Sequence, residues 1–252
     1  RIGYVSTDFK NHAVAYLLEP LLKDHNRDEV EVYCYAEVAS PDKVTRRFEE
    51  HSDHWRSTVG VSDDEMCAMI RRDEIDIIIE CAGQTINNRL VALSQKPAPL
   101  MVNYFTMHGQ TLGMPVMDYI LGDSTIMPQG FEDQCSEKLI CLEHGAFPFL
   151  PIHDWPEVAS PREIGEEMVF ACVGDPARIS EDTIDLWARL LNLNPDAKLL
   201  FKFQVYGDPK RLQYWQQKFA RLGERVIFED IDGGWGKHMD VYSRIDVVLS
   251  TL

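Results

Sequence analysis

The stretch Ile75-Asp76-Ile77-Ile78-Ile79-Glu80-Cys81-Ala82-Gly83-Gln84 decides the fold. Three consecutive isoleucines leave no polar face, so Ile75–Glu80 reads as a strand buried on both faces of a parallel sheet. Gly83 then permits a tight turn, and polar side chains follow it. Working back toward the start, Ser62 can cap a helix running to about Arg72, with Asp63, Asp64 and Glu65 in its first turn, where carboxylates suit the helix dipole. Val30–Ala36 is a strand, with Val30, Val32, Cys34 and Ala36 on one face and Tyr33 and Tyr35 on the other. Ala13–Lys23 has helical spacing, with Pro20 placed to kink it, and Ile2–Ser6 is a strand. Working forward, Met101–Phe105, Tyr119–Leu121 and Lys138–Leu142 are further strands. This alternation predicts an α/β layer architecture.

Residues 147–166 break the pattern. They hold Pro148, Pro151, Pro156 and Pro161 and no long periodic run, which reads as a domain linker between 1–146 and 167–252, or else as a long surface loop. The alternation then restarts. Met168–Val173 is a strand and Ser180–Leu191 a helix. Lys198–Phe203 is a strand, and Pro209–Leu222 a helix closed by Gly223 as C-cap. Val226–Phe228 is a short strand, Lys237–Ser243 a short helix and Val247–Leu249 a buried strand. So few strands make the second domain small, which suggests that it continues beyond Leu252.

Composition narrows the function. The chain has 252 residues, enough for one or two domains, and 45% hydrophobic residues, enough for a sizeable core. It carries 25 Lys+Arg against 41 Asp+Glu, a net charge of −16. That argues against nucleic acid or an anionic membrane as partner, because both need surplus cations. The six cysteines show no C-x-x-C pair, and several lie in apolar runs, so free buried thiols in a reducing cytoplasm are expected. No apolar stretch approaches the ~20 residues of a membrane span. The chain opens at Arg1 without a Met or a signal peptide and reads as a piece of a longer protein.

In open parallel sheets, ligands bind beyond the carboxyl ends of the strands. After the first strand come Thr7-Asp8-Phe9-Lys10-Asn11-His12; His12 could take a proton from a hydroxyl, bond a substrate, or merely cap backbone. After the isoleucine strand come Gly83-Gln84-Thr85-Ile86-Asn87-Asn88, a binding loop or an ordinary polar turn. After the next come His108-Gly109-Gln110-Thr111-Leu112-Gly113, which matches neither dinucleotide nor P-loop spacing. In the second half, Gly174-Asp175-Pro176-Ala177-Arg178 leads to a helix at Ser180. A helix start offers unpaired N–H groups to an anion, and Arg178 adds a guanidinium suited to phosphate, unless it is a plain surface arginine. Glu181 and Asp182 in that first turn work against a phosphate there. His238 opens the last short helix. There is no HExxH, no DxD and no close His/Cys grouping, so no metal site is expected.

Taken together, these segments resemble the catalytic region of the O-GlcNAc transferase/SPINDLY family. The carriers are Arg1-Ile2-Gly3-Tyr4-Val5-Ser6-Thr7-Asp8-Phe9 with His12, Ile75–Glu80 with Gly83–Asn88, Pro97-Ala98-Pro99, Gly113–Tyr119 and Ser136-Glu137-Lys138-Leu139. Ile179 with Trp187–Leu191, and His238-Met239 with Val241–Asp246, follow in the family's order. The resemblance implies a GT-B-like α/β fold, two Rossmann-like domains facing across a cleft, here with the second incomplete. It implies inverting, metal-independent transfer of a sugar to Ser/Thr hydroxyls of protein acceptors. The donor is usually UDP-GlcNAc, or GDP-fucose in SPINDLY-type members, with no further cofactor. An N-terminal tetratricopeptide (TPR) array usually presents the acceptor.

Carried over by position, His12 and Arg178 are the catalytic candidates. Asp175, Arg178, His238 and Thr251 fall in the nucleotide-sugar site, and Asp8, Gln84, Thr85, His108 and Thr111 in the acceptor and sugar pocket. Several positions depart from the family pattern. Gln84 stands for a histidine, Arg178 for a lysine, Asp175 for an amide and Ser250 for an aspartate, with an apparent one-residue insertion before the Met107–Pro115 loop. The competing expectations are a binding or scaffold protein that kept the fold without the chemistry, and a GT-B enzyme acting on small glycans or lipids.

Overall fold

The structure, a computed structural model, describes residues 1–104, 110–151, 157, 167–231 and 238–251. The chain divides into two compact units, Arg1–Ile152 and His153–Leu252. Among the described residues, no helix is long and apolar enough to cross a membrane.

The first unit is built on a parallel sheet of seven strands: β1 (Ile2–Ser6), β2 (Val32–Ala36), β3 (His54–Ser57), β4 (Ile77–Glu80), β5 (Leu100–Asn103), β6 (Tyr119–Gly122) and β7 (Lys138–Cys141). Their spatial order is β3-β2-β1-β4-β5-β6-β7. Helices cover both faces, as the isoleucine run requires. α1 (Ala15–Lys23) and α2 (Lys43–Glu50) bury Leu18, Leu22, Val44 and Phe48 against Tyr4, Val32 and Cys34. On the other face, α3 (Asp63–Arg72) and α4 (Leu90–Leu93) bury Met66, Ile70, Ala92 and Leu93 against Val5, Tyr35, Ile78 and Met101. Ser62 caps α3 in a reciprocal box with Glu65, as the sequence predicts, and Asp42 does the same for α2 with Thr45.

Pro20 lies inside α1 and cannot donate to the Tyr16 carbonyl four residues back. The Leu150 N–H takes that carbonyl instead, at 2.8 Å, while Phe149 stacks on the Tyr16 ring. The proline thus creates an acceptor that holds the end of the first unit against its first helix.

The second unit has a four-stranded parallel sheet, β8 (Val169–Val173), β9 (Lys198–Lys202), β10 (Val226–Glu229) and β11 (Val247–Val248), in the order β10-β9-β8-β11. One face carries the main core, where α5 (Glu181–Leu193) places Ile184, Trp187 and Leu191 against Phe170, Leu199 and Phe201. α6 (Pro209–Lys218) follows β9. The other face is thinner, a cluster of Val169, Ala171, Leu200 and Val241.

Three expectations are corrected here. The helix from Pro209 stops at Lys218, because Phe219 is drawn into the core 4.7 Å from the Phe201 ring. A 3-10 turn, Ala220–Arg225, continues from there, so Gly223 is not a helix C-cap; it sits inside that turn at φ 63°, ψ −146°. Val247 and Val248 are 41% and 54% exposed rather than buried, because β11 is the edge strand of its sheet. The short helix expected over Lys237–Ser243 includes a 3-10 turn at Asp240–Ser243, and Lys237 lies outside the described residues. Strand β3 and helix α2 were not legible as elements. The six cysteines are unpaired, and Cys34, Cys67, Cys81 and Cys172 are buried.

Candidate functional site

In the first sheet the strand order reverses direction between β1 and β4, so the chain leaves these two strands toward opposite faces, the place at the carboxyl edge where open parallel sheets bind ligands. The loop after β1 carries Asp8 and His12. Asp8 is nearly buried, and its carboxylate lies 3.7 Å from both Lys10 Nζ and His12 Nδ1. His12 is 44% exposed on its side chain and accepts the Val14 N–H at Nδ1, 3.3 Å. With Nδ1 accepting, the neutral ring carries its proton on Nε2 and presents a donor to solvent. To act as a base at Nε2, His12 must exchange the Val14 contact for a bond from Nδ1–H to Asp8.

The loop after β4 is held from below by Glu80, which ends the isoleucine run and is 0% exposed. Its carboxylate accepts the Ala82 N–H at 2.7 Å and the Gly83 N–H at 2.9–3.0 Å. Burial pushes the Glu80 carboxyl up to about 7, outweighing the backbone bonds that act in the opposite direction. Beyond this anchor, Gln84 and Thr85 are exposed. The Thr85 hydroxyl bonds the Ala82 carbonyl at 2.9 Å, so that side chain is spent within its own turn, while Gln84 stays available. Arg89 fastens the loop's far end to Glu37 (3.0 Å), to the Val61 carbonyl (2.9 Å) and to Asp63 (3.1 Å).

His108 lies outside the described residues. Thr111 is half-buried; its hydroxyl donates to Glu137 and accepts the Gly113 N–H at 3.0 Å. Burial pushes the Glu137 carboxyl up, but bonds from Thr111, Leu112 and Ser136 draw it down further, leaving it below the ordinary carboxylate range. A separate apolar cavity of about 350 Å³, bounded by Tyr4, Ile79, Tyr104, Leu121 and Phe147, is lined by none of these candidates.

In the second sheet the switch point falls between β8 and β11, which brings Asp175 and Arg178 after β8 to the same edge as Thr251 after β11. The helix start expected to receive a phosphate is largely occupied. Asp175 caps the 3-10 turn Pro176–Arg178 by accepting the Ala177 N–H at 2.9 Å, and Ser180 caps α5 through the Thr183 N–H at 3.1 Å. Glu181 of the first turn is paired with Lys218. What remains for an anion is Arg178, exposed and without a side-chain partner among the described residues. His238 is half-buried; burial, then the nearby Lys202 ammonium, hold its ring below the ordinary histidine range. Lys202 itself is buried at the end of β9, 3.8 Å from Glu229, which grips Arg244 with two bonds of 2.7–2.8 Å.

Glu80, Asn103, Glu137, Arg89 and Lys202 were not read from sequence as site residues. A polar residue closing an otherwise apolar strand was the available signal for Glu80, Asn103 and Lys202. Among the described residues, no three His, Cys, Asp or Glu side chains cluster to hold a metal ion.

Two Rossmann-like parallel sheets in one chain, each with polar side chains gathered at a switch point, define the GT-B class of glycosyltransferase fold. The chain superposes on a mutant of the Thermobaculum terrenum O-GlcNAc transferase with a TM-score of 0.90 at 33% identity, covering 100% of this chain and 48% of that one. Anabaena HepE, solved with UDP and glucose, shares the fold at a TM-score of 0.55 and 13% identity, covering 98% of this chain and 73% of that one. The chain belongs to glycosyl transferase family 41, whose profile matches residues 1–153. It is 30% identical over 258 aligned positions to the Petunia hybrida protein named "Probable UDP-N-acetylglucosamine--peptide N-acetylglucosaminyltransferase SPINDLY". That match takes in 99% of this chain and 28% of the Petunia protein, so the chain spans under a third of that relative's length.

Proposed function

We propose that the protein carrying this chain is a protein O-glycosyltransferase, inverting and metal-independent, that transfers GlcNAc from UDP-GlcNAc to Ser/Thr hydroxyls. The observation that carries this reading is the exposed Arg178 guanidinium at the carboxyl end of β8, without a side-chain partner among the described residues, in a family 41 chain. A departing nucleoside diphosphate develops negative charge, and a guanidinium offers the bidentate geometry that its oxygens accept. His238, biased toward its neutral form, suits contact with an uncharged nucleotide group. His12 would hold sugar or acceptor through Nε2–H, with Asp8 placed to stabilise the ring if it takes up a proton. Presentation of acceptors by an N-terminal TPR array, and a cytoplasmic setting, belong to the same reading and rest on the family resemblance.

A second reading, a binding or scaffold protein that has lost the chemistry, is favoured by one observation. The Asp175 carboxylate occupies the N–H group that a phosphate would use. Labelled nucleotide sugars incubated with intact protein and acceptor proteins separate the two. Label that reaches acceptors and vanishes in His12→Ala supports transfer. Arg178→Ala should weaken UDP binding roughly tenfold, about one charge-assisted hydrogen bond. Undiminished UDP affinity in that variant, with no label transferred by the unaltered protein, would leave only the scaffold.

A further inference from the structure

The second unit carries an open pocket of about 480 Å³ between the turn that follows β8 and the start of α6. Of the nucleotide-site candidates, only Asp175 lines it; Lys210, Arg211, Tyr214 and Trp215 of α6 form the facing wall. The rings are held in place. Tyr214 is 52% exposed, yet Trp215 meets it edge-on at 5.3 Å and Lys218 Nζ lies 5.8 Å from its centroid. Trp215 is half-buried against the unit's main core. The two cations are not engaged. Lys210 and Arg211 are exposed, and neither side chain makes an ion pair or hydrogen bond among the described residues. Both stand in the first turn of α6, where the positive end of a helix disfavours cations. In a chain of net charge −16, this pocket is a local exception.

Charge and spacing say what would fill it. The helix N–H groups are not the attraction, because Asp208 already accepts those of Lys210 and Arg211 at 2.9 and 3.0 Å. Asp208 and Asp175 also bring two carboxylates close to the two cations, so a dianionic phosphate meets repulsion that a single carboxylate largely escapes. Lys210 precedes Tyr214, and Arg211 precedes Trp215, by one helical turn, which sets a cation about 5–6 Å from a ring on the same helix face. Side chains two residues apart on an extended peptide share a face and stand roughly 6.6 Å apart, a close match. Asp175 spends Oδ1 on the Ala177 N–H, and its other oxygen can accept a peptide N–H. We infer that this pocket docks an acidic peptide segment of a protein partner, with a carboxylate on Lys210 and Arg211 and an aromatic side chain two residues away against Tyr214 and Trp215. The inference goes beyond the transferase reading and does not depend on it.

The test is fluorescence anisotropy on the intact protein with labelled peptides: Gly-Ser-Glu-Ser-Phe-Ser-Gly, the same with Gln for Glu, and the same with Ser for Phe. The first should bind roughly tenfold more tightly than either of the others. Its advantage over the Gln peptide should shrink as salt rises from about 0.05 to about 0.5 M. Lys210→Ala with Arg211→Ala should erase the preference for Glu and leave UDP affinity unchanged. Lys210→Glu with Arg211→Glu should turn the preference to a peptide with Lys in that place, a gain that a misfolded variant cannot show. Tyr214→Ser should erase the preference for Phe. Peptides that all bind alike, or none that binds, overturn the docking site, as does a preference for Glu that survives the double alanine variant. UDP affinity that falls together with the peptide's in that variant means the cations serve the nucleotide, and overturns it too. Failure of the unaltered protein to bind UDP bears on the transferase reading alone.

Discussion

The carboxyl edges of the two sheets are built in opposite ways. In the first, buried carboxylates lie beneath the loops: Glu80 grips the Ala82 and Gly83 N–H groups, and Glu137 grips Thr111, Leu112 and Asn103. In the second, the side chain that caps the loop after β8 is the exposed Asp175, and Arg178 is exposed to solvent. The cores follow the same division, with helices over both faces of the first sheet and, among the described residues, four buried side chains with Val173 and Ile245 packed against them on the thin face of the second. A site that fixes hydroxyl geometry gains from rigid, desolvated anchors, whereas a site that neutralises a diphosphate needs available charge more than rigidity.

The sharpest way to break this contrast is to remove one anchor from each edge. Glu80→Leu leaves two buried N–H groups without acceptors, a cost of about 1–3 kcal/mol each. Relief from burying the carboxylate offsets part of that, so a net loss of about 3 kcal/mol is expected. Asp175→Ala removes an exposed cap and should cost ~1 kcal/mol. Hydrogen exchange read by peptide, which follows each unit separately, should show strong deprotection around β4 in the first variant and only local change near Ala177 in the second. Comparable effects at both edges would end the distinction.

Titration of Glu80 sharpens the contrast further. Its carboxyl lies at about 7 in the folded chain against an ordinary 4.5. Between these values the folded chain keeps a proton that the unfolded chain has released. The stability this group contributes is therefore complete below about 4.5 and lost as pH rises through about 7. Carboxylates held low, such as Asp42, Asp123 and Glu137, act in the opposite sense, losing their contribution as pH falls. The informative quantity is therefore the difference between the unaltered protein and Glu80→Gln. The first unit of the unaltered protein should lose up to about 3 kcal/mol relative to the variant between pH 4.5 and 7, and nothing further above that. Parallel profiles would mean the carboxylate stays ionised in place.

Much of the fold could be read along the chain because its signals are local. The isoleucine run fixed a doubly covered sheet, and Ser62 with Glu65 marked a helix start. What escaped depends on distant partners. Strand β3 (His54–Ser57) looks polar because it is an edge strand, and its place is set by pairing with Tyr33–Ala36. The end of α6 is decided by Phe201, far from Phe219 in sequence. Ser136-Glu137 was visible as a motif, yet its role appears only when Thr111 and Asn103 arrive beside it. Asp175 is the exception, since Asp before Pro is a readable cap-and-first-turn signature. It identifies this residue as a cap first, and only secondarily as a ligand contact.

The smallest expected effect tests how firmly the first unit holds its own end. Pro20→Ala supplies an N–H that competes with Leu150 for the Tyr16 carbonyl. Alanine also suits a helix interior better than proline, by up to about 3 kcal/mol, but α1 is already packed around the proline, so most of that gain is unavailable. The global effect should stay within about 1 kcal/mol. The local effect should be clear: the Leu150 amide, protected by its 2.8 Å bond, should exchange faster as the new N–H takes its acceptor, and the Phe149 ring should loosen from Tyr16. If Leu150 stays as protected as before, the segment is held by the Phe149 and Phe147 ring contacts alone, and the proline's missing donor is incidental.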